Sequence, residues 1–63
     1  MKVERFIREY ANYKIRQYEE LAKDYPEKRT YASAQIWLIN HYVKLRKDGL
    51  ISVDEVVECI RKA

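Results

Sequence analysis

The fold of this chain is decided at residues 49–56, which read Gly-Leu-Ile-Ser-Val-Asp-Glu-Val. Gly49 is the residue type that commonly ends a helix in the left-handed conformation. Ser52 and Glu55 have the spacing of a capping box, and the apolar residues on either side of the box have the spacing of a hydrophobic staple. The segment therefore predicts the end of one helix, a sharp turn, and a short third helix over about 53–62.

The residues before this turn predict a long second helix that ends near Asp48. Two neighbouring apolar stripes run along it, one of Tyr31, Ala34, Leu38, Tyr42 and Leu45 and one of Ala32, Ile36, Ile39 and Val43. A helix that is apolar over so wide an arc is expected to contact two neighbours. Two starts fit the sequence, Pro26 in the first turn of the helix or Thr30 as its N-cap, so the helix spans 26–48 or 30–48.

An amphipathic first helix is predicted over about 2–24. Its apolar stripe consists of Val3, Ile7, Tyr10, Tyr18, Leu21 and Tyr25. Lys14 falls inside this stripe, where either its stem covers apolar surface while its ammonium reaches water, or the stripe faces a partner at this point. The predicted fold class is therefore all-α: a long antiparallel helical hairpin, closed by the short third helix, in a single domain over residues 1–63.

Length and composition exclude most enzymes and cofactor-binding proteins. The chain has 63 residues with one Cys and one His, so it can form neither an internal disulfide nor a Cys/His metal site. Ser33 and His41 would lie about 12 Å apart along one helix, which is too far for proton transfer. We therefore expect no catalytic residues, no cofactor, no metal and no enzymatic activity.

The location of the chain is predicted from the same features. No apolar run approaches the roughly 20 residues that span a bilayer, and no apolar segment follows Met1 as in a secretory signal. A lone reduced cysteine, Cys59, is typical of the cytosol. We therefore expect a cytoplasmic protein that does not enter a membrane.

Trp37 is the residue that helical periodicity explains least. It falls on the polar side of the second helix, among Ser33, Asn40, His41 and Lys44. Either it flanks a broad core and packs under a neighbouring helix, or it is an exposed binding hot spot ringed by polar groups. The second interpretation makes Trp37, His41, Lys44, Asn40 and Ser33 the predicted partner-binding residues.

The net charge of +3 is unevenly distributed along the chain. Residues 28–47 contain five basic side chains and no acidic one. The alternative function is therefore nucleic-acid binding through Lys28, Arg29, Lys44 and Lys47. A conventional helix-turn-helix is disfavoured, because the third helix carries acidic residues near its start, where they would repel phosphates.

Six tyrosines in so short a chain also need an explanation. They can line the core with their hydroxyls at its rim, or they can form a protein interface, where tyrosine is enriched. Apolar surface in excess of what one bundle buries would also allow antiparallel self-association of the first two helices, which makes a homo-oligomer an additional partner hypothesis.

Residues 6–10, Phe-Ile-Arg-Glu-Tyr, with 13–14, Tyr-Lys, and the segment 49–56 resemble small helical proteins carried by phages and mobile elements of Gram-positive bacteria. The resemblance implies an accessory role, in which the chain binds and regulates or inhibits a host or phage macromolecule. The leading hypothesis is thus a non-enzymatic helical module whose partner is a protein.

Overall fold

A computed structural model of the chain describes residues 2–63 and confirms the all-α, three-helix fold. Helix α1 spans Lys2–Asp24, α2 spans Arg29–Lys47 and α3 spans Val53–Lys62. Helices α1 and α2 pack along each other as the long hairpin, and α3 contacts both of them. The predicted bounds of α1 and α3 are those of the structure.

The turn between α2 and α3 has the predicted geometry. Gly49 has a φ of 78°, in the left-handed region. The Gly49 N–H donates to the Arg46 carbonyl at 3.0 Å, and the Leu50 N–H donates to the Leu45 carbonyl at 2.9 Å. These two bonds are those of a Schellman motif, so the last carbonyls of α2 are satisfied within the turn itself.

The start of α3 is capped from both sides. The Ser52 hydroxyl accepts a hydrogen bond from the Glu55 N–H at 3.2 Å, and the Ser52 N–H donates to the Glu55 carboxylate at 3.1 Å. A helix of 10 residues is marginal on its own, so this cap and the packing of α3 against the hairpin must together stabilise it.

The start of α2 differs from both predicted positions. Pro26 begins a separate 3-10 turn, Pro26–Lys28, and the α-helix begins at Arg29 without a side-chain cap. Thr30 lies inside the helix and does not serve as its N-cap. The 3-10 turn leads directly into α2, so the helix has no free start at which a threonine hydroxyl is needed.

The core lies where all three helices meet. Its buried residues are Ile7 and Ala11 of α1, Ile39 of α2, and Val56 and Ile60 of α3. With about 1.5 Å of rise per residue, α3 is less than half as long as α1, so it covers only part of the hairpin.

The burial predicted for two apolar stripes is therefore wrong for some of their residues. In the first stripe, Val3 and Tyr25 are exposed, because Val3 lies near the start of α1 and Tyr25 follows its last residue. In α2 the stripe that contains Ile39 is the buried one, whereas Tyr31 and Ala34 of the other stripe are exposed. The apolar spacing predicts stripes along the full length of α1 and α2, which is more surface than the 10-residue α3 can cover.

The tyrosines divide evenly between the two interpretations. Tyr10, Tyr18 and Tyr42 are partly buried against the core, whereas Tyr13, Tyr25 and Tyr31 are exposed. The Tyr18 hydroxyl donates to the carbonyl of Ala63 and so ties the end of α3 to α1. Burial, followed by the contact with Tyr31, raises the pKa of the Tyr18 phenol above its ordinary value.

Candidate functional site

Trp37 lies on the side of α2 that faces away from the core. Its side chain is 63% exposed, whereas Ile39, two residues along, is completely buried. Side chains two positions apart in an α-helix point in directions about 200° apart. The face that carries Trp37 is therefore nearly opposite the face that packs on α1 and α3. The interpretation in which Trp37 packs under another helix is therefore wrong, because neither α1 nor α3 reaches this side.

The Trp37 indole is held in place by its neighbour one turn along the helix. The rings of Trp37 and His41 stack with their centroids 5.0 Å apart and an angle of 10° between their planes. His41 is partly buried and in turn contacts Tyr42, whose ring centroid is 6.3 Å away. Because the stack already restricts the indole, Trp37 loses less side-chain entropy on binding a partner than an unstacked indole would.

Polar side chains surround this stacked pair. Ser33, Asn40 and Lys44 are all exposed. Ser33 and Asn40 lie four and three residues from Trp37, and Lys44 lies four residues beyond Asn40, so all three share its side of the helix. The structure thus brings the five predicted partner-binding residues onto one surface, called the outer α2 face: Ser33, Trp37, Asn40, His41 and Lys44. This face offers a large amphipathic ring beside hydrogen-bond donors and one cation.

The predicted nucleic-acid residues do not form one patch. Lys28 lies in the 3-10 turn and Arg29 begins α2, whereas Lys44 and Lys47 lie in its last turn. The helical rise puts Arg29 and Lys44 about 22 Å apart. A fifth basic residue, Arg46, is turned inward and pairs with Glu4 of α1 at 3.3 Å.

A second exposed surface, on α1, was only partly recognised in the sequence. The rings of Phe6 and Tyr10 stack at 6.2 Å, and the Gln17 amide donates to the Tyr13 hydroxyl at 3.1 Å. Together with Val3 these residues form the α1 row: Val3, Phe6, Tyr10, Tyr13 and Gln17. Their spacing of three and four residues indicates a common face of α1. In the sequence alone this face cannot be separated from the core stripe of the same helix, which lies next to it.

A groove of about 490 Å³ lies where the start of α1 meets the end of α2. It is lined by Glu4, Arg5, Ile7, Arg8, Val43 and Lys47. Arg5 is paired with Glu9 at 3.1 Å, and Glu4 is paired with Arg46. The groove therefore holds charged side chains over an apolar floor, and none of its lining residues is a nucleophile of the Ser, Cys or His type.

Few chemically reactive groups occur in the described chain. Cys59 is a free, partly buried thiol, and the Ser52 hydroxyl is occupied by its helix cap. Over residues 2–63 no group of three or more His, Cys, Asp and Glu side chains is placed to hold a metal ion. Within the same residues no helix is both long and apolar enough to cross a membrane.

Comparison of the chain with protein-family models, with curated proteins and with solved structures found no match. Its function is therefore inferred from its own residues.

Proposed function

We propose that this chain is a non-enzymatic helical binding module that acts by protein–protein interaction through the outer α2 face. The exposed Trp37 carries this proposal. A tryptophan side chain that is 63% exposed leaves a large apolar surface in water, although the same helix buries isoleucine two positions away. Tryptophan is among the residue types most enriched at the energetic centre of protein interfaces.

The neighbours of Trp37 support a protein partner. Hot-spot aromatics are usually surrounded by polar groups that exclude water once the complex forms. Ser33, Asn40 and Lys44 stand in that relation to the stacked indole. The partner surface that fits them has an apolar pocket for the indole and an acidic or carbonyl-rich rim for the Lys44 ammonium.

Nucleic acid is the alternative partner, and the arrangement of charge favours it less. Its four predicted residues fall at the two ends of α2, and Arg46 is engaged by Glu4. A phosphate backbone is bound best by several cations along one continuous track. Trp37 could stack on an unpaired base, so the experiment below includes a nuclease arm.

The biological role we propose follows from the resemblance of residues 6–10, 13–14 and 49–56 to small phage and mobile-element proteins. The chain would regulate or inhibit a host or phage protein in the cytoplasm by occupying a surface of that protein.

Affinity capture from a lysate of the organism that encodes the chain tests the proposal. The tagged wild-type chain should retain a partner protein with and without nuclease, and Trp37→Ala should lose it. Tyr25→Ala is the matched control, because Tyr25 is 52% exposed and lies outside the outer α2 face. Circular dichroism should show that both variants remain folded.

Two results would contradict the proposed protein partner. Equal capture by the wild type and Trp37→Ala would remove the outer α2 face as the site. Loss of all captured protein on nuclease treatment, with direct retention of DNA or RNA that weakens steeply as salt is raised, would favour the nucleic-acid alternative.

A further inference from the structure

The groove between the start of α1 and the end of α2 has an apolar floor. Ile7, which is buried, and Val43, which is partly buried, form this floor. The volume of about 490 Å³ lies within the range of pockets that hold small organic ligands. A ligand that covers the floor gains from the removal of apolar surface from water, so it needs an apolar body.

The rim of the groove is charged, and part of this charge is already paired. Among residues 2–63, Glu4 is the only carboxylate that lines the groove, and it is paired with Arg46 at 3.3 Å. Arg5 is paired with Glu9 at 3.1 Å. The groove's carboxylate and one of its two arginines therefore each have an opposite charge beside them.

The remaining charge of the rim is positive. Arg8 on α1 and Lys47 on α2 are exposed, line the groove, and form no ion pair with any residue of the range 2–63. Asp48, which follows Lys47, does not line the groove. The positive end of α1 and the negative end of α2 meet here, so their dipoles offset each other. The side chains therefore set the sign, and the two unpaired cations attract an anion.

The short extent of the groove favours a small molecule over a helix of a partner protein. The lining residues span positions 4–8 of α1 and 43–47 of α2, which is about 6 Å along each helix axis. A docked helix of only eight residues would extend about 12 Å and pass beyond this lining at one end or both. A compact ligand with one charged end fits these dimensions.

We propose that this groove binds a small amphipathic anion, a ligand with an apolar body and one anionic headgroup. The body would lie on Ile7 and Val43, and the headgroup would meet the Arg8 guanidinium and the Lys47 ammonium at the rim. An inorganic anion would leave the floor in water, and an apolar cation would be repelled by the rim. The site is distinct from the outer α2 face and does not rest on the function proposed for that face.

Titration of the isotopically labelled chain with decanoate, followed by amide chemical shifts, tests the site. Decanoate should shift the amides of residues 4–8 and 43–47 in a saturable manner, with a Kd of about 1 mM. Decyltrimethylammonium has a comparable apolar chain with a cationic head, and acetate has the headgroup without the chain, so neither should saturate these amides. Octanoate should bind about tenfold more weakly, because it buries two methylenes fewer.

Removal of charge from the rim should weaken decanoate binding. Arg8→Gln and Lys47→Gln should each raise the Kd about two- to fivefold, as expected for exposed ion pairs, and the double variant about tenfold. Arg16→Gln is the matched control, because Arg16 is exposed on α1 but does not line the groove. Trp37→Ala should bind decanoate like the wild type, which separates this site from the proposed partner binding.

Three outcomes would overturn the inference. The first is a decanoate titration without saturable shifts at residues 4–8 and 43–47. The second is equal saturation by decyltrimethylammonium or by acetate, which would show that the groove recognises only the chain or only a charge. The third is an unchanged decanoate Kd in the double variant Arg8→Gln, Lys47→Gln, which would place the headgroup elsewhere.

Discussion

The two faces of α2 differ more than any other pair of regions in this molecule. On the inner face Ile39 has no exposed surface and contributes to the core with Ile7 and Val56. On the outer face the larger side chain of Trp37 remains mostly in water. Both residues are apolar and lie two positions apart, so residue type does not explain the difference. The neighbouring helices explain it, because they occupy only one side of α2.

Stability and the proposed interaction therefore belong to separate faces of one helix. The inner face holds the bundle together, and the outer α2 face is left free for a partner. Four substitutions test which side chains stabilise the fold. They are given in order of decreasing expected effect on the free energy of unfolding.

Ile39→Ala should have the largest effect. Removal of a completely buried isoleucine side chain leaves a cavity among all three helices, with an expected loss of about 2–5 kcal/mol in the free energy of unfolding. A chain this small has little stability to spare, so the variant should be largely unfolded by circular dichroism. Ile39→Val, which removes one methylene, is the graded control. An Ile39→Ala chain as stable as the wild type would contradict the role of the inner face in holding the bundle together.

Ser52→Ala should weaken the cap that starts α3. The variant loses the hydrogen bond from the Glu55 N–H to the Ser52 hydroxyl, and caps of this type stabilise a protein by about 1 kcal/mol. Urea unfolding should give a lower midpoint with an unchanged m-value. Ser33→Ala is the matched control, because Ser33 is exposed on the outer α2 face and should leave the midpoint almost unchanged.

Tyr18→Phe should destabilise the chain by about 0.5–1.5 kcal/mol, because the hydrogen bond to the Ala63 carbonyl is lost. The wild type should also lose stability at alkaline pH. Since the pKa of Tyr18 is raised in the folded state, the unfolded chain ionises first, and stability that is present below the ordinary value of 10.0 declines as the pH rises beyond it.

Unfolding experiments between about pH 8 and pH 11 on the wild type and Tyr18→Phe measure this contribution. The variant should show a shallower alkaline decline, with the other five tyrosines as a common background. Identical pH profiles for the two chains would contradict a pKa of Tyr18 that burial and the contact with Tyr31 raise in the folded state.

Trp37→Ala should have the smallest effect on folding, within about 0.5 kcal/mol, since substitutions on an exposed surface rarely do more. The wild type offers an independent check, because Trp37 is its only tryptophan. Acrylamide should quench its fluorescence almost as strongly in the folded chain as in the urea-unfolded chain. Strong protection in the folded monomer would contradict the exposed position of the indole.

Most of the fold could be predicted from local signals. The capping box at Ser52 and Glu55 and the Gly49 turn depend on residues close in sequence, and the structure contains both. The beginning of α2 could not be predicted in this way, because Pro26 and Thr30 are both acceptable starts. The 3-10 turn that precedes Arg29 depends on how the hairpin closes.

The candidate site was predictable only in part. The spacing of Ser33, Trp37 and Lys44 showed that they share a face of α2, but periodicity alone left open whether that face is covered. The α1 row was harder to recognise, because Phe6 and Tyr13 adjoin residues of the same helix that are buried. The packing of α2 and α3 against one side of α1 separates the two groups.

Local sequence is enough to predict where the helices end and begin at the Gly49 turn, and that one face of each helix is apolar. These properties arise from backbone hydrogen bonds and side-chain spacing within a few residues of each other. Only the tertiary structure decided which apolar residues are buried, because burial depends on where a second helix lies. The short α3 packs on Ile7 and Ile39, whereas no neighbouring helix within residues 2–63 packs over Phe6 and Tyr13 of α1 or over Trp37 of α2. These aromatics therefore remain exposed, and Trp37 is the one through which partner binding is proposed.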